Sequence, residues 1–244
     1  MLGTGLLLLL ATGCSSDNLP TFAMPARGVT NQAPRILSLW QGAWIAAFSV
    51  GAVVWGLILW SVVAYRRRRS ENGLPAQTRY NVPIEVLYTV VPLIMVAVFF
   101  FFTARDEDRI MRTSANPDHQ ITVTGIQWSW QFTYVSDAGQ NATVTGTPAK
   151  PPTLVLPQGE SVKFSLVSND VIHSFWVPAF LFKMDVIPGQ HNQFEIVPKK
   201  IGTYAGRCAE LCGQDHSRML FNVKIVSPAD YEKYIADLKA ENAK

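Results

Sequence analysis

The chain has 244 residues, 48% of them hydrophobic, which suits one ordinary domain plus membrane segments better than two soluble domains. Its formal net charge is +3. From residue 105 to the end, however, 14 basic residues stand against 15 acidic ones, a net charge of −1, and the basic excess lies mainly in residues 66–69. The overall positive charge therefore gives no support to a nucleic-acid-binding function.

The N-terminus predicts a signal peptide over residues 1–13, because its apolar run is too short to span a bilayer and ends in small residues. Residues 10–16, Leu-Ala-Thr-Gly-Cys-Ser-Ser, resemble a bacterial lipobox, which implies that a lipid is attached to Cys14. An ordinary signal peptide with a chance cysteine stays open as the alternative, since Ala11 stands where the lipobox prefers leucine. The polar, proline-containing residues 14–36 predict an extended linker outside the cytoplasm.

Two apolar segments predict a transmembrane helical hairpin over residues 37–104. Residues 37–65 carry no charge and exceed the roughly 20 residues that a spanning helix needs. Residues 84–104 form the second segment, which contains Pro92 as an expected kink. Aromatic side chains near both ends of the first segment are placed like interface anchors: Trp40, Trp44, Trp60 and Tyr65.

The loop between the two segments, residues 66–83, is basic and is therefore expected in the cytoplasm. Both flanks of the hairpin then lie outside, in agreement with a lipid on Cys14. Glu85 begins the second segment, where a carboxylate near the inner membrane face is a functional candidate. A side chain that snorkels to the interface explains Glu85 equally well at this point.

After residue 104 the pattern changes to that of an all-β domain, predicted over residues 105–226. Apolar and polar residues alternate in short runs such as 121–124 and 162–166, and glycine- or proline-containing turns separate the runs. Short strands at this spacing predict a β-sandwich or barrel. Residues 227–244 predict a C-terminal helix that begins at Ser227 and has an apolar stripe: Tyr231, Tyr234, Ile235 and Leu238.

Residues 207–219 gather soft metal ligands: Cys208, Cys212, His216 and Met219. His173 lies upstream. A thioether is unusual at zinc, and two thiols are one too many for a single blue copper, so the set favours copper in another arrangement. Two bridging thiolates with one histidine on each copper would use every ligand in a binuclear centre. Gly213 and the flanking strands predict a loop that joins two strands at one end of the sandwich.

The sequence Cys-Ala-Glu-Leu-Cys-Gly of residues 208–213, with the histidine and methionine after it, resembles the CuA motif of cytochrome c oxidase subunit II. The hairpin and residues 127–130, 170–175 and 185–190 extend the resemblance over nearly the whole chain. It implies a cupredoxin-like β-sandwich on a transmembrane hairpin. It also implies a set of copper ligands: His173, Cys208, Cys212, His216 and Met219, with the main-chain carbonyl of Glu210.

The resemblance implies three further roles. The Glu210 carboxylate would reach a magnesium ion at the interface with subunit I. Trp128 matches the aromatic residue at which electrons arrive from cytochrome c. Glu85 matches the carboxylate at the mouth of the K proton channel.

The implied function is that of the electron-accepting subunit of a proton-pumping cytochrome c oxidase. Its CuA centre would take electrons from a c-type cytochrome and relay them to haem in subunit I, where oxygen is reduced to water. Expected partners are subunit I with its haems and CuB, subunit III, membrane lipid, and a c-type cytochrome or a cytochrome bc complex as donor. No nucleic acid is expected. The expected location is the plasma membrane of a bacterium, with the CuA domain on the extracytoplasmic side.

Other protein classes fit less well. A quinol-oxidase subunit of this fold lacks the copper ligands, and nitrous oxide reductase is soluble with a large preceding domain. A copper chaperone of the oxidase-assembly type has its histidine well after the cysteines, whereas His173 precedes Cys208. A zinc-binding lipoprotein without redox function would be colourless.

Several polar and aromatic residues carry weaker predictions. His119 and His191 are expected to be exposed turn residues. Asp170 and Asp185 would either attract a cationic electron donor or be solvated surface charges. Trp130, two positions after Trp128, is expected in the core.

Overall fold

A computed structural model describes residues 20–24, 28–66, 73, 77–136 and 139–243. It divides into two compact units. The first comprises Met1–Phe22 and Ser38–Arg105, and the second comprises Ala23–Leu37 and Asp106–Lys244.

The first unit is built from two long apolar helices, α1 (Ala33–Ala64) and α2 (Val82–Met111), whose end residues belong to the second unit. Both are long and apolar enough to cross a membrane, and no residue in their most apolar described stretches is buried. Trp60, for example, is 66% exposed. A water-soluble protein would bury such apolar helix surfaces. The prediction that this unit is a membrane hairpin is therefore confirmed. Pro92 lies inside α2, which continues without a break.

The two helices extend beyond their apolar segments. Helix α1 begins at Ala33, four residues before the predicted apolar segment, and α2 continues to Met111 beyond its apolar stretch. Residues 28–32, part of the segment predicted to be an extended linker, pair with the sandwich. Asn31 donates its backbone N–H to the carbonyl of Val197 at 3.0 Å and accepts the Val197 N–H through its side chain at 2.8 Å.

The second unit is a sandwich of two five-stranded sheets. One sheet has the order β3-β2-β1-β5-β8 and the other β4-β10-β9-β6-β7. The strands are β1 (His119–Ile126), β2 (Ser129–Val135), β3 (Ala142–Thr145), β4 (Thr153–Pro157), β5 (Val162–Ser168), β6 (His173–Val177), β7 (Phe182–Val186), β8 (Asn192–Ile196), β9 (Gly202–Cys208) and β10 (Leu220–Val226). The all-β prediction is therefore confirmed.

Aromatic rings fill the space between the sheets, because alternate residues of each strand point inward. Trp130 on β2 meets Phe221 on β10 with ring centroids 5.4 Å apart, and Phe175 on β6 meets Phe164 on β5 at 6.0 Å. All four residues are at most 1% exposed. The prediction that Trp130 belongs to the core is confirmed, and its ring also meets that of His173, with centroids 6.1 Å apart.

The C-terminal helix α3 (Pro228–Asn242) packs on the sandwich. The Ser227 side chain accepts a hydrogen bond from the backbone N–H of Asp230 and so caps the N-terminus of α3. Tyr231 and Leu238 are buried, in keeping with the predicted stripe.

The prediction that His119 is an exposed turn residue is wrong. His119 begins β1, its side chain is 18% exposed, and its Nε2 lies 2.6 Å from a Glu160 carboxylate oxygen. Its ring meets that of Tyr231 at 4.7 Å. The turn predicted from Pro117 and Asp118 therefore ends at Asp118 and does not include His119. His191 is exposed, as predicted.

Candidate metal centre

His173 stands at the first position of β6 and is fully buried. Its Nε2 lies 2.8 Å from Oδ1 of Asp170. Because the carboxylate can only accept, Nε2 carries the proton, and the Nδ1 lone pair is left for a metal. A Cβ on Gly125 of β1 would lie 2.7 Å from Cδ2 of His173 and would clash with it. Glycine at this position therefore leaves space for the imidazole ring.

The remaining candidate ligands lie on or beside the connection between β9 and β10, which we call the metal loop (residues 208–219). Cys208 is the last residue of β9, and His216 begins a short 3-10 helix. The backbone N–H of Cys208 donates to the Met219 carbonyl at 3.0 Å, which closes the loop at its base. The predicted loop that joins two strands is therefore present. The cysteines and His216 do not lie on one continuous α-helix.

The structure brings the five predicted side-chain ligands together. The Sγ atoms of Cys208 and Cys212 are 3.9 Å apart. His173 Nδ1 lies 3.9 Å from Cys208 Sγ, and His216 Nδ1 lies 3.5 Å from Cys212 Sγ. Met219 Sδ lies 3.7 Å from Cys212 Sγ. Each thiol thus has one imidazole nitrogen beside it, and the thioether stands on the Cys212 side.

These distances fit metal ligation. A disulfide would need the two sulfurs about 2.05 Å apart. Two sulfurs that bind one ion at about 2.3 Å each can lie at most about 4.6 Å apart, and the observed 3.9 Å falls below this limit. Thiolate, imidazole and thioether together are the donors that copper proteins use. The Glu210 carbonyl oxygen adds a main-chain donor 3.2 Å from Cys208 Sγ.

The two thiols differ in pKa. Burial raises the pKa of Cys208, but the contact with His173 and nearby backbone groups outweigh it and lower that pKa to about 7. Burial, together with the negative charge of an ionised Cys208, raises the pKa of Cys212 to about 12. In the metal-free protein one thiol therefore ionises well before the other, because two thiolates this close repel each other.

Trp128 packs against the metal loop. It is half-buried, and its indole Nε1 donates to the Cys212 carbonyl at 3.1 Å. The side-chain amide of Gln127 donates to the same oxygen at 2.7 Å. The turn between β1 and β2 therefore contacts the loop at one of its two cysteines.

Two further predicted site residues are Glu85 and Cys14. Glu85 stands in the first turn of α2, where its Oε1 accepts the backbone N–H of Asn81 at 2.9 Å and so helps to cap the helix. Cys14 lies outside the described residues.

Similarity to known proteins agrees with this geometry. Residues 119–226 match the family model described as cytochrome C oxidase subunit II, periplasmic domain. The probable cytochrome c oxidase subunit 2 of Streptomyces coelicolor is 49% identical over an alignment of 274 positions, which covers 97% of this chain and 85% of that protein. The chain belongs to the cytochrome c oxidase subunit II family. It is thus a subunit of an oxidoreductase complex, and its cluster of His173, Cys208 and Cys212 is the candidate copper site.

More distant relatives extend the comparison. Cytochrome c oxidase subunit 2 of Mycobacterium bovis is 33% identical over 286 residues, covering 95% of this chain and 78% of that protein. The crystal structure of the periplasmic domain of subunit II of cytochrome oxidase from Bradyrhizobium japonicum is 29% identical and covers 53% of this chain and 99% of that chain, with a TM-score of 0.47. The family and the two apolar helices together describe a membrane-anchored subunit of a terminal oxidase.

Sequence reasoning missed the roles of Asp170 and Gln127. The sequence left Asp170 as either an attractor of a cationic electron donor or a solvated surface charge. In the structure its side chain is 29% exposed and accepts hydrogen bonds from His173, Ser168 and the Val171 backbone. Burial opposes its ionisation, yet the hydrogen bonds that it accepts lower its pKa. A signal was available, because an aspartate three residues before a ligand histidine stands within reach of that imidazole.

Proposed function

We propose that this chain is the electron-accepting subunit of a proton-pumping cytochrome c oxidase and that it holds a binuclear CuA centre. The observation that carries the proposal is the pair of buried thiols 3.9 Å apart, each with an imidazole nitrogen beside it. The proposed ligands are His173, Cys208, Cys212, His216 and Met219, with the Glu210 carbonyl.

The donor count supports two coppers rather than one. A single copper in a blue site takes two histidines, one cysteine and a weak methionine, so one of these two thiols would have no partner. Two coppers held by both thiolates would use all five side chains, and the Glu210 carbonyl would complete the set.

When bound, the copper pair would supply one-electron chemistry, in which a single electron is accepted and passed on. The chain's own residues would keep the site from changing shape. His173 is held by Asp170, and the base of the metal loop is closed by the hydrogen bond from Cys208 to Met219. Cys208, Cys212 and Met219 are at most 4% exposed, so the sandwich excludes water from the sulfur donors. A rigid, dry site favours fast electron transfer because little has to reorganise.

Trp128 is the proposed point at which electrons arrive. Its indole contacts the Cys212 carbonyl, and half-burial leaves part of the ring available to a donor. The proposed donor is a c-type cytochrome, either free or within a cytochrome bc complex. The proposed acceptor is haem in subunit I, which with its CuB reduces oxygen; subunit III is a further partner.

The remaining assignments belong to the same proposal. The protein would lie in the bacterial plasma membrane with the sandwich on the extracytoplasmic side and a lipid on Cys14. Glu85 would stand at the mouth of the K proton channel in addition to capping α2. The Glu210 side chain, which is exposed, would reach a magnesium ion at the subunit I interface.

Stopped-flow reduction of the purified oxidase complex tests the relay. Reduced c-type cytochrome is mixed with the oxidised complex, and the copper absorbance is followed beside that of the haems. The proposal predicts that the copper band is lost before the first haem is reduced. Haem reduction at the same rate in a complex whose subunit II lacks copper would contradict it.

A further inference from the structure

The carbonyl oxygen of Cys212 accepts two side-chain hydrogen bonds from the turn between β1 and β2. The Gln127 amide donates at 2.7 Å and the Trp128 indole at 3.1 Å. A backbone carbonyl on an exposed loop would ordinarily be hydrated, so two protein donors on one carbonyl mark a fixed point. That point belongs to a proposed copper ligand.

Gln127 also reaches the other side of the site through its backbone. Its N–H donates to Oδ2 of Asp170 at 2.7 Å, while Oδ1 of the same carboxylate lies 2.8 Å from His173 Nε2. One residue is therefore hydrogen-bonded to the Cys212 main chain and, through Asp170, to His173. Since His173 and Cys212 lie more than thirty residues apart in sequence, this path is a direct link between two distant parts of the ligand set.

The close approach depends on Gly213, the residue after Cys212. Its φ is +122°, which favours glycine. A Cβ there would lie 3.0 Å from the Trp128 Nε1 and 3.2 Å from the Gln127 Nε2. The metal loop therefore presents its smallest residue to the two donors, which lets both of them reach the carbonyl.

We propose that Gln127 is a positioning residue of the copper centre. Its side-chain amide fixes the main chain of Cys212, and so the direction of the Cys212 sulfur, relative to His173. The inference rests on the proposed function and adds to it a residue that holds the ligand geometry without touching the metal. The two bonds of Gln127 can be separated experimentally, because a side-chain substitution removes the bond to Cys212 and leaves the backbone bond to Asp170.

The test uses the full chain in detergent, loaded with copper, as wild type, Gln127→Leu and Gln127→Asn. Leucine removes the donor, and asparagine shortens the same amide by one methylene. Gln131→Leu is the matched control, because Gln131 is also an amide of this sheet but donates to Thr145, away from the metal loop. Circular dichroism checks folding, and the readouts are the copper EPR hyperfine pattern and the rate of copper loss to excess chelator.

Both Gln127 variants are expected to lose copper about tenfold faster than wild type, the factor that one hydrogen bond contributes. Their EPR hyperfine pattern should also change at full copper occupancy, which a purely structural role would not produce. Gln131→Leu should match wild type in both readouts. A folded Gln127→Leu or Gln127→Asn protein with the wild-type pattern and rate overturns the inference alone, whereas a wild-type chain that takes up no copper overturns the proposed function and the inference together.

Discussion

The ring of His173 lies directly over Gly125, so that a Cβ on this glycine would come within 2.7 Å of the imidazole Cδ2. The two residues belong to opposite sheets, and the glycine leaves the space in which the first copper ligand lies. The ring is also hydrogen-bonded to Asp170, so a displacement of the ring would disturb that bond as well.

Gly125→Ala is therefore expected to displace the His173 ring. Overpacking of this kind costs about 1–3 kcal/mol of folding stability, and copper affinity should fall as well. The measurements are the urea midpoint of the full chain in detergent and a copper titration. Gly42→Ala is the control, because nothing lies within 4 Å of that Cβ, and it should leave copper affinity unchanged without lowering the urea midpoint. Unchanged copper affinity in folded Gly125→Ala protein would show that this contact does not position His173.

Replacing either thiol should remove the shared arrangement. In Cys212→Ser, one sulfur is left with His173 beside it, so the chain should hold at most one copper in place of two. Copper analysis of the purified full chain gives the count, and the visible spectrum reports the loss of a thiolate ligand. A variant that still binds two coppers with an unchanged spectrum would rule out bridging by Cys212.

Trp128→Phe separates electron arrival from metal binding. Phenylalanine keeps an apolar ring but loses the indole N–H that donates to Cys212, while Gln127 still holds that carbonyl. We expect copper to remain bound and its reduction by a c-type cytochrome to slow by about tenfold or more, equivalent to at least about 1.4 kcal/mol of activation free energy. Stopped-flow kinetics of the assembled oxidase measure the rate. The control is Trp176→Phe, since Trp176 meets Arg207 instead of the metal loop; equal rates in the two variants would remove the special role of Trp128.

Asp118 gives a prediction about pH. Hydrogen bonds from the backbone and hydroxyl of Ser161 lower the pKa of Asp118 below its ordinary value of 3.8. A lowered folded-state pKa stabilises the fold above the unfolded-state value, and this contribution is lost as pH falls through the folded-state pKa. The stability difference between wild type and Asp118→Asn should therefore be largest above about pH 4 and shrink towards lower pH.

Urea midpoints of the full chain measured over that pH range provide the test. Ser161→Ala keeps the backbone donor to Asp118 and loses only the hydroxyl, so it should retain part of the pH dependence. A difference between wild type and Asp118→Asn that stays constant from neutral to acid pH would contradict the assignment.

Features that depend only on residue type and on the period of the apolar residues could be predicted from the sequence. Membrane helices follow from apolar length, the sandwich from alternation, and Trp130 as a core residue from its spacing. A candidate metal site could be predicted in residues 208–219 because thiol, imidazole and thioether groups recur there at intervals of three or four residues. None of these arguments needs the position of one strand relative to another.

What escaped prediction depends on contacts between distant segments. Gln127 is an ordinary polar residue in sequence, and only the pairing of β1 with β5 brings the turn that carries it beside Asp170. The pairing of residues 28–32 with the end of β8 is likewise a backbone contact that composition cannot indicate. His119 was misassigned because Glu160, its partner, follows it by 41 positions.

The most direct test of the central claim is the EPR spectrum of the copper-loaded full chain in detergent, together with its copper content. Two coppers that share both thiolates hold one unpaired electron in common in the oxidised state. The spectrum is therefore predicted to show hyperfine coupling to two equivalent copper nuclei, with two coppers per chain. A spectrum of isolated single coppers, or a chain that takes up no copper, would contradict the binuclear centre.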